Sequence, residues 1–292
     1  MIEKLEFFII LSKEKHFGKA AQKLGITQPT LSAAIQSLED QLGVLLVRRG
    51  TRYEELTLEG ERILDWAKKI CSDTKTMKEE MKILKKGLDG TLKIGIIPSI
   101  EPLLPKITNN FLKRNPNVKF EIYSKSSNEI LNELIQFELD IGFTYIEENL
   151  IEKLMYIPIF LETYFLIIHK NLKIRNNKEI NWNEIQNLKI CLLTKNMRKR
   201  RILDYNLSRQ GIHLEPKLEA DSFLTLLSHV NTGEWASIFP YALKKLIETN
   251  KDIISIPITT PKITKSIGLI TLKKEPNTPM VSAILNDLKK FK

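Results

Sequence analysis

The sequence predicts a multi-domain α+β chain: short helices with a basic hairpin, then one long helix, then an α/β C-terminal half. Three observations carry this. Residues 4–42 show helical apolar spacing in short runs broken by glycine. From Ile63 to Leu88 a largely apolar 4-3 repeat persists, with charges on the other faces. From Thr91 onward, strand-like apolar runs alternate with helical ones. A length of 292 residues suits two or three domains, and 42% hydrophobic content is enough for packed cores.

Composition excludes several classes. The opening MIEKLEFFIILSKEKHF is interrupted at Lys13, Glu14 and Lys15, which fits neither a signal peptide nor a membrane span, and no later run reaches membrane length. A soluble, cytoplasmic protein is the expectation. The two cysteines, Cys71 and Cys191, form no CxxC, and the four histidines are scattered, so neither metal nor cofactor is expected. The net charge of +10 suggests nucleic acid, but residues 1–90 hold 16 Lys/Arg against 14 Asp/Glu. Most of the excess reads as a lysine-rich solvated surface.

The first helix, over residues 4–16, places Leu5, Phe8, Ile9 and Ser12 on one face. The second, Lys19–Leu24, turns Ala20, Ala21 and Leu24 inward. Gly25 suits the left-handed position after a helix, and Thr27 is a good N-cap, with Pro29 tolerated in the first turn. A third helix runs to Leu42, burying Leu31, Ala34, Ile35, Leu38 and Leu42. Small Ala21, Gly25 four residues on, and Leu31 six further have helix-turn-helix spacing. The opposite face, with Thr27, Gln28, Pro29, Thr30, Ser32, Ala33, Gln36 and Ser37, would enter a DNA major groove. Glutamine can pair bidentately with adenine, and Ser or Thr with several base edges. The run VLLVRRGTRYEELT then reads as a hairpin whose tip presents Arg48, Arg49 and Arg52 to phosphates or the minor groove. An ordinary polar helix face and a solvated basic turn are the plain alternatives; agreement of turn, cap and face favours a winged helix-turn-helix.

From the N-cap Thr57 a helix extends to about Lys86, with Ile63, Ala67, Ile70, Thr74, Met77, Met81, Leu84 and Leu88 on a heptad seam. So narrow a stripe on so long a helix needs a partner, and a second copy of the chain is the expected one. Gly87 and Gly90 form a hinge.

The segment FGKAAQKLGITQPTLSAAIQSLEDQLGVLLVRRGTRYEELTLEGERIL resembles the signature of LysR-type transcriptional regulators. The matches are AA, TQP at Thr27–Pro29, LS, LE at Leu38–Glu39, LG, Arg49, and LT…G at Leu56–Gly60. Ala33 stands where many members carry arginine, Val47 where phenylalanine is usual, and Gly18 where a Thr or Ser cap is usual. Fewer arginines on the third helix shift weight to the wing and to DNA shape.

Strand-like runs follow at 92–97, 118–123, 139–145, 163–169, 189–194 and 236–240, with helical runs near 102–115, 127–137, 198–210 and 222–232. Such βαβ units imply mostly parallel sheets, with ligands beyond the strands' carboxyl ends. LKIGIIPSIEPLLP, LDIGF and EADSFLTLLSHVNTGEWASIFP extend the resemblance, which implies a periplasmic-binding-protein-like domain of two lobes. The domains expected are a winged helix-turn-helix at 1–58, a linker helix at 59–88 and an effector-binding domain at 91–292. Its lobe I would hold 91–162 and 267–292, and its lobe II 163–266. Strand-end geometry nominates Ser99, Thr144, Tyr145, Asn196, Met197, Ser222, Thr225 and Phe239 for the effector, Ser99 first. Each could instead be a cap or a packing residue.

KNMRKRR (195–201) has five basic residues in seven. It reads either as a site for an anionic effector or as an exposed basic turn, and the turn is favoured. A peroxide-sensing branch of the family signals through a cysteine pair in lobe II. The corresponding stretch here, NMRKRRILDYNLSRQG, has no cysteine, and Cys191 lies in an apolar strand, so a thiol switch is not expected. No Gly-rich phosphate loop or nucleophile elbow supports an α/β enzyme, and the N-terminal module argues against a transporter's solute-binding protein. The resemblance implies a regulator that binds double-stranded DNA as a homodimer or a homotetramer, answers to a small-molecule effector and, as an activator, meets RNA polymerase.

Overall fold

The computed structural model describes residues 1–49, 53–146, 152–174 and 178–289, without the side chains of 49, 53, 54, 84–86 and 289. Contacts divide the chain into two units. The first holds Met1–Gly90 with Ile135–Glu138 and Lys274–Ala283. The second holds Thr91–Leu134, Leu139–Lys273 and Ile284–Lys292. The sequence had assigned all of 91–292 to one domain. By contacts, the two short segments group with the first unit, where Lys13 pairs with Glu138 at 2.6 Å and Lys274 with Asp73 at 3.4 Å.

In the first unit, α1 (Ile2–Glu14), α2 (Phe17–Leu24) and α3 (Gln28–Leu42) enclose a core of Leu5, Phe8, Leu11, Ala20, Ala21, Leu31, Ile35 and Leu38. Gly25 adopts φ 68°, the left-handed turn that a side chain would strain. The hairpin of β1 (Val47–Arg49) and β2 (Tyr53–Leu56) pairs Val47 with Leu56 and Arg48 with Glu55. Thr57 caps α4 (Leu58–Lys86), accepting from Gly60 N–H at 2.8 Å and donating to Leu45 O at 2.6 Å. Gly60 allows this approach, because a Cβ there would lie 2.0 Å from Leu46 O.

The second unit contains two five-stranded sheets. The first sheet, ordered β4-β3-β5-β12-β6, uses β3 (Gly90–Ile96), β4 (Val118–Ser124), β5 (Ile141–Tyr145), β6 (Leu154–Glu162) and β12 (Lys265–Leu272). With it come α5 (Leu104–Arg114), α6 (Ser127–Ile135) and α11 (Pro279–Lys289). The second sheet, ordered β11-β7-β10-β8-β9, uses β7 (Tyr164–His169), β8 (Ile190–Leu193), β9 (Leu218–Ala220), β10 (Ala236–Pro240) and β11 (Ile253–Pro257). It carries α7 (Trp182–Ile185), α8 (Arg198–Ser208), α9 (Phe223–Val230) and α10 (Lys244–Ile247). Alternation along β7 explains its two covered faces. Leu166 and Ile168 join Leu203 and Leu207 of α8, while Phe165 and Ile167 join Leu226 and Val230 of α9.

The expectation of mostly parallel sheets is corrected. β3/β5, β10/β8 and β8/β9 are parallel, but β5/β12, β12/β6, β7/β10 and β7/β11 are antiparallel. The chain leaves the first sheet through β6, enters the second at β7 and returns as β12. Periodicity records that a strand exists and not its direction. Among the described residues, no helix is long and apolar enough to cross a membrane.

Candidate functional site

Two surfaces bear on function. On the first, α2 begins at His16, whose Nδ1 accepts from the N–H groups of Gly18 at 3.0 Å and Lys19 at 3.3 Å. The helix starts earlier than expected, so the cap position is His16, and Gly18, expected to stand at the cap, lies within the first turn. Thr27 caps α3 through Thr30 N–H at 3.3 Å and shares a hydroxyl contact with Thr30 at 2.8 Å. Thr27, Gln28, Pro29, Thr30, Ala33 and Gln36 are exposed, and Ser32 is half-buried. Ser37 accepts from Lys4 of α1 at 2.7 Å. Glu39, which the sequence reading left without a role, is buried, and its Oε1 accepts from Leu46 N–H at 2.8 Å and Val47 N–H at 3.3 Å. One carboxylate therefore positions the start of the hairpin. Arg48 is exposed and paired with Glu55 at 2.7 Å, an arrangement that costs little to open. Arg52 and the side chain of Arg49 lie outside the described residues.

The seam on α4 needs correction. Ala67 is fully buried in the core of its own head, with Ile63 packed beside it. The exposed apolar stripe is instead Trp66, Ile70, Met77 and Met81, with Thr74 half-buried. Periodicity alone could not separate own-chain from partner contacts on the first two turns, and Trp66 was missed. The side chain of Leu84 lies outside the described ones.

The second surface lies within the second unit, at the strand ends. Ser99, in the 3₁₀ turn after β3, is buried, as are Thr144 and Tyr145 at the end of β5. Tyr145 OH donates to Glu162 Oε2 at 3.0 Å, and Lys199 Nζ stands 3.4 Å from the same oxygen. Lys199 projects from the first turn of α8 over the rings of Tyr164, at 5.2 Å, and Phe223, at 5.1 Å. Glu162 ends β6 of the first sheet and Tyr164 begins β7 of the second, so the cluster surrounds a crossover between lobes. Burial pulls the Lys199 pKa down to about 8 against the opposing pull of Glu162. Burial, then the Glu162 charge, pushes Tyr145 and Tyr164 well above the usual tyrosine value.

The exposed-turn reading of KNMRKRR is corrected: Lys195 and Arg201 are exposed, but Arg198, Lys199 and Arg200 are not. Arg200 is buried and structural, bound to Asp204 at 2.8 Å, Glu219 at 2.6 Å and Leu193 O at 2.7 Å. Lys199 is buried against Glu162, and Arg198 is half-buried, donating to Asn128 Oδ1 at 2.9 Å. Of the nominated effector residues, Ser99, Thr144 and Tyr145 belong to the strand-end cluster. Met197 packs into the lobe core, and Ser222 is half-buried at the start of α9. Asn196 and Thr225 are exposed, while Phe239 is a core residue that reaches the cluster through Phe223, 5.0 Å away. Glu162, Tyr164 and Lys199 were missed. Cys191 is fully buried and Cys71 half-buried; burial raises the pKa of both, which makes each a poor thiolate.

Comparison with known proteins gives these parts their class. Residues 2–61 match the bacterial regulatory helix-turn-helix protein, lysR family, and residues 85–291 match the LysR substrate binding domain. The chain belongs to the LysR family of DNA-binding transcription regulators, with a helix-turn-helix head and a C-terminal effector-binding domain, and is not an enzyme. It is 27% identical over 271 residues to the hydrogen peroxide-inducible genes activator of Haemophilus influenzae, covering 92% of this chain and 89% of that one. To the regulator AlsR of Bacillus subtilis it is 26% identical over 290 residues, covering 97% and 93%. Among solved structures, a full-length OxyR variant from Pseudomonas aeruginosa superposes with a TM-score of 0.77 at 21% identity, covering 99% and 94%. CbnR bound to its target DNA gives 0.68 at 19% identity, with both chains fully covered. These likenesses to solved structures concern the fold.

Proposed function

We propose that this regulator binds operator DNA in the cytoplasm as a homodimer or homotetramer, through the start of α3 and the wing, and that a small effector between the lobes sets its conformation. The observation that carries the DNA assignment is the exposed Thr27–Thr30 face on a correctly capped α3. Gln28, Ser32, Ala33 and Gln36 would meet base edges, and Arg48, Arg49 and Arg52 phosphates. The stripe Trp66–Met81 supports pairing of two linker helices. RNA polymerase is the further partner of an activator. In the effector domain, Tyr145 and Glu162 on one lobe meet Tyr164 and Lys199 on the other, so a ligand there biases the angle between lobes and shifts a pre-existing equilibrium. Two thiols with raised pKa values, one buried and one half-buried, favour a small molecule over cysteine oxidation as the input.

Gel shifts on the chain's own upstream region test the division of labour. Arg49→Ala weakens binding to specific and scrambled duplexes alike and lowers the salt slope by about one. Gln28→Ala costs roughly 1–3 kcal/mol on the operator and relaxes preference at one position. Identical behaviour of the two variants refutes this assignment of roles.

A further inference from the structure

Six buried side-chain atoms of the second unit lack a well-formed hydrogen bond among the described residues, and all six lie at the strand ends and lobe crossover. They are Ser99 Oγ, Ser127 Oγ, Thr144 Oγ1, Glu162 Oε1, Tyr164 OH and Lys199 Nζ. Each such atom costs about 1–3 kcal/mol, a penalty a ligand can relieve. Their chemistry is specific. Ser99, Ser127 and Thr144 stand where β3, β4 and β5 end, and Ser127 also opens α6, a nine-residue helix whose N-terminal dipole favours negative charge. Glu162 offers the opposite: one carboxylate oxygen is held by Tyr145 and faces Lys199, while the other accepts nothing.

Charge decides between ligand classes. Lys199 and Glu162 offset each other and both are buried, while half-buried Arg198, bonded to Asn128 in the first turn of α6, adds a positive charge on the hydroxyl side. A plain anion could meet Arg198 and the hydroxyls but would still leave Glu162 Oε1 without a donor. A plain cation would leave the hydroxyls and the helix terminus without an acceptor. A molecule bearing both charges adds none in sum and satisfies both sides. Resting on the reading of this region as the effector site, we infer that it takes a small dipolar ligand of the α-amino acid class. The ammonium group would lie on Glu162 and the carboxylate on the hydroxyls of Ser99, Ser127 and Thr144.

The test is calorimetric titration of the full chain with the twenty L-amino acids, each ligand found being compared with its N-acetyl and decarboxylated analogues. At least one amino acid should bind, and each analogue should lose about tenfold or more in affinity, the value of one charge-assisted hydrogen bond. Glu162→Gln should weaken the amino acid by a similar factor while leaving the N-acetyl analogue unchanged. Should that variant misfold, the comparison on the unaltered chain decides alone. Binding by none of the twenty, or equal binding by an analogue, overturns the ligand class. If a simple carboxylate binds instead and shifts operator affinity, the effector reading stands while the dipolar assignment falls.

Discussion

Replacing Lys199 with methionine is the most informative perturbation. The substitution preserves much of the side chain's volume but strands Glu162, which is 0% exposed, without its cation. Breaking a buried pair from one side costs about 3–5 kcal/mol, whereas the double variant Lys199→Met/Glu162→Gln should recover most of it. The pH dependence is the sharper readout. The Lys199 pKa is about 8 in the folded chain against an ordinary 10.5, so the folded form prefers the neutral amine. Stability from this group is therefore fully present above the ordinary value and is lost as pH falls through 8. Between pH 7 and 9.5 the gain on raising pH is about 2 kcal/mol. Tyr145 and Tyr164, shifted upward, oppose ionisation in the folded state and remove stability above about pH 10, which sets the upper limit of the useful window. The two cysteines, also shifted upward, remove stability over the same range, so the readout is a difference. In urea unfolding followed by tryptophan fluorescence, the unaltered chain should gain about 2 kcal/mol relative to Lys199→Met between the two pH values. The same rise in both proteins, or a single-variant cost below about 1 kcal/mol at pH 7, refutes the account.

Two further outcomes concern the head. Glu39→Ala orphans the Leu46 and Val47 amides and should cost about 3 kcal/mol, seen as faster hydrogen exchange at those two amides, with Glu39→Gln much milder. Gly60→Ala forces α4 away from the Leu46 carbonyl and should also cost about 3 kcal/mol, so a melting temperature within about 1 °C of the parent would show that the helix start can simply slide.

Much of the fold was readable before any coordinates. Thr27, Thr57 and Gly25 do locally what their chemistry favours, and six strands of the effector domain lie close to where apolar runs placed them. The failures have separate physical causes. β6 is an apolar run, LMYIPIFLE, but Pro158 in its middle argues against a strand. Glu162 and Lys199 are 37 positions apart in sequence and meet only through a crossover. Basic side chains are seldom buried, which is why KNMRKRR read as solvated. His16 was overlooked because capping arguments look first to Ser, Thr, Asp and Asn.

The union of α4 with its head has a mechanical corollary. Its first turns are fastened to the hairpin by Thr57 and share a core with α1 through Ile63 and Ala67, so the helix root and the DNA-contacting head should move as one stiff piece. A 29-residue helix extends about 43 Å, and tilting it by about 5° swings the opposite end by about 4 Å. That is comparable to the spacing of neighbouring base pairs. A slight change in how two such levers cross would thus suffice to bring a pair of heads into or out of step with the double helix.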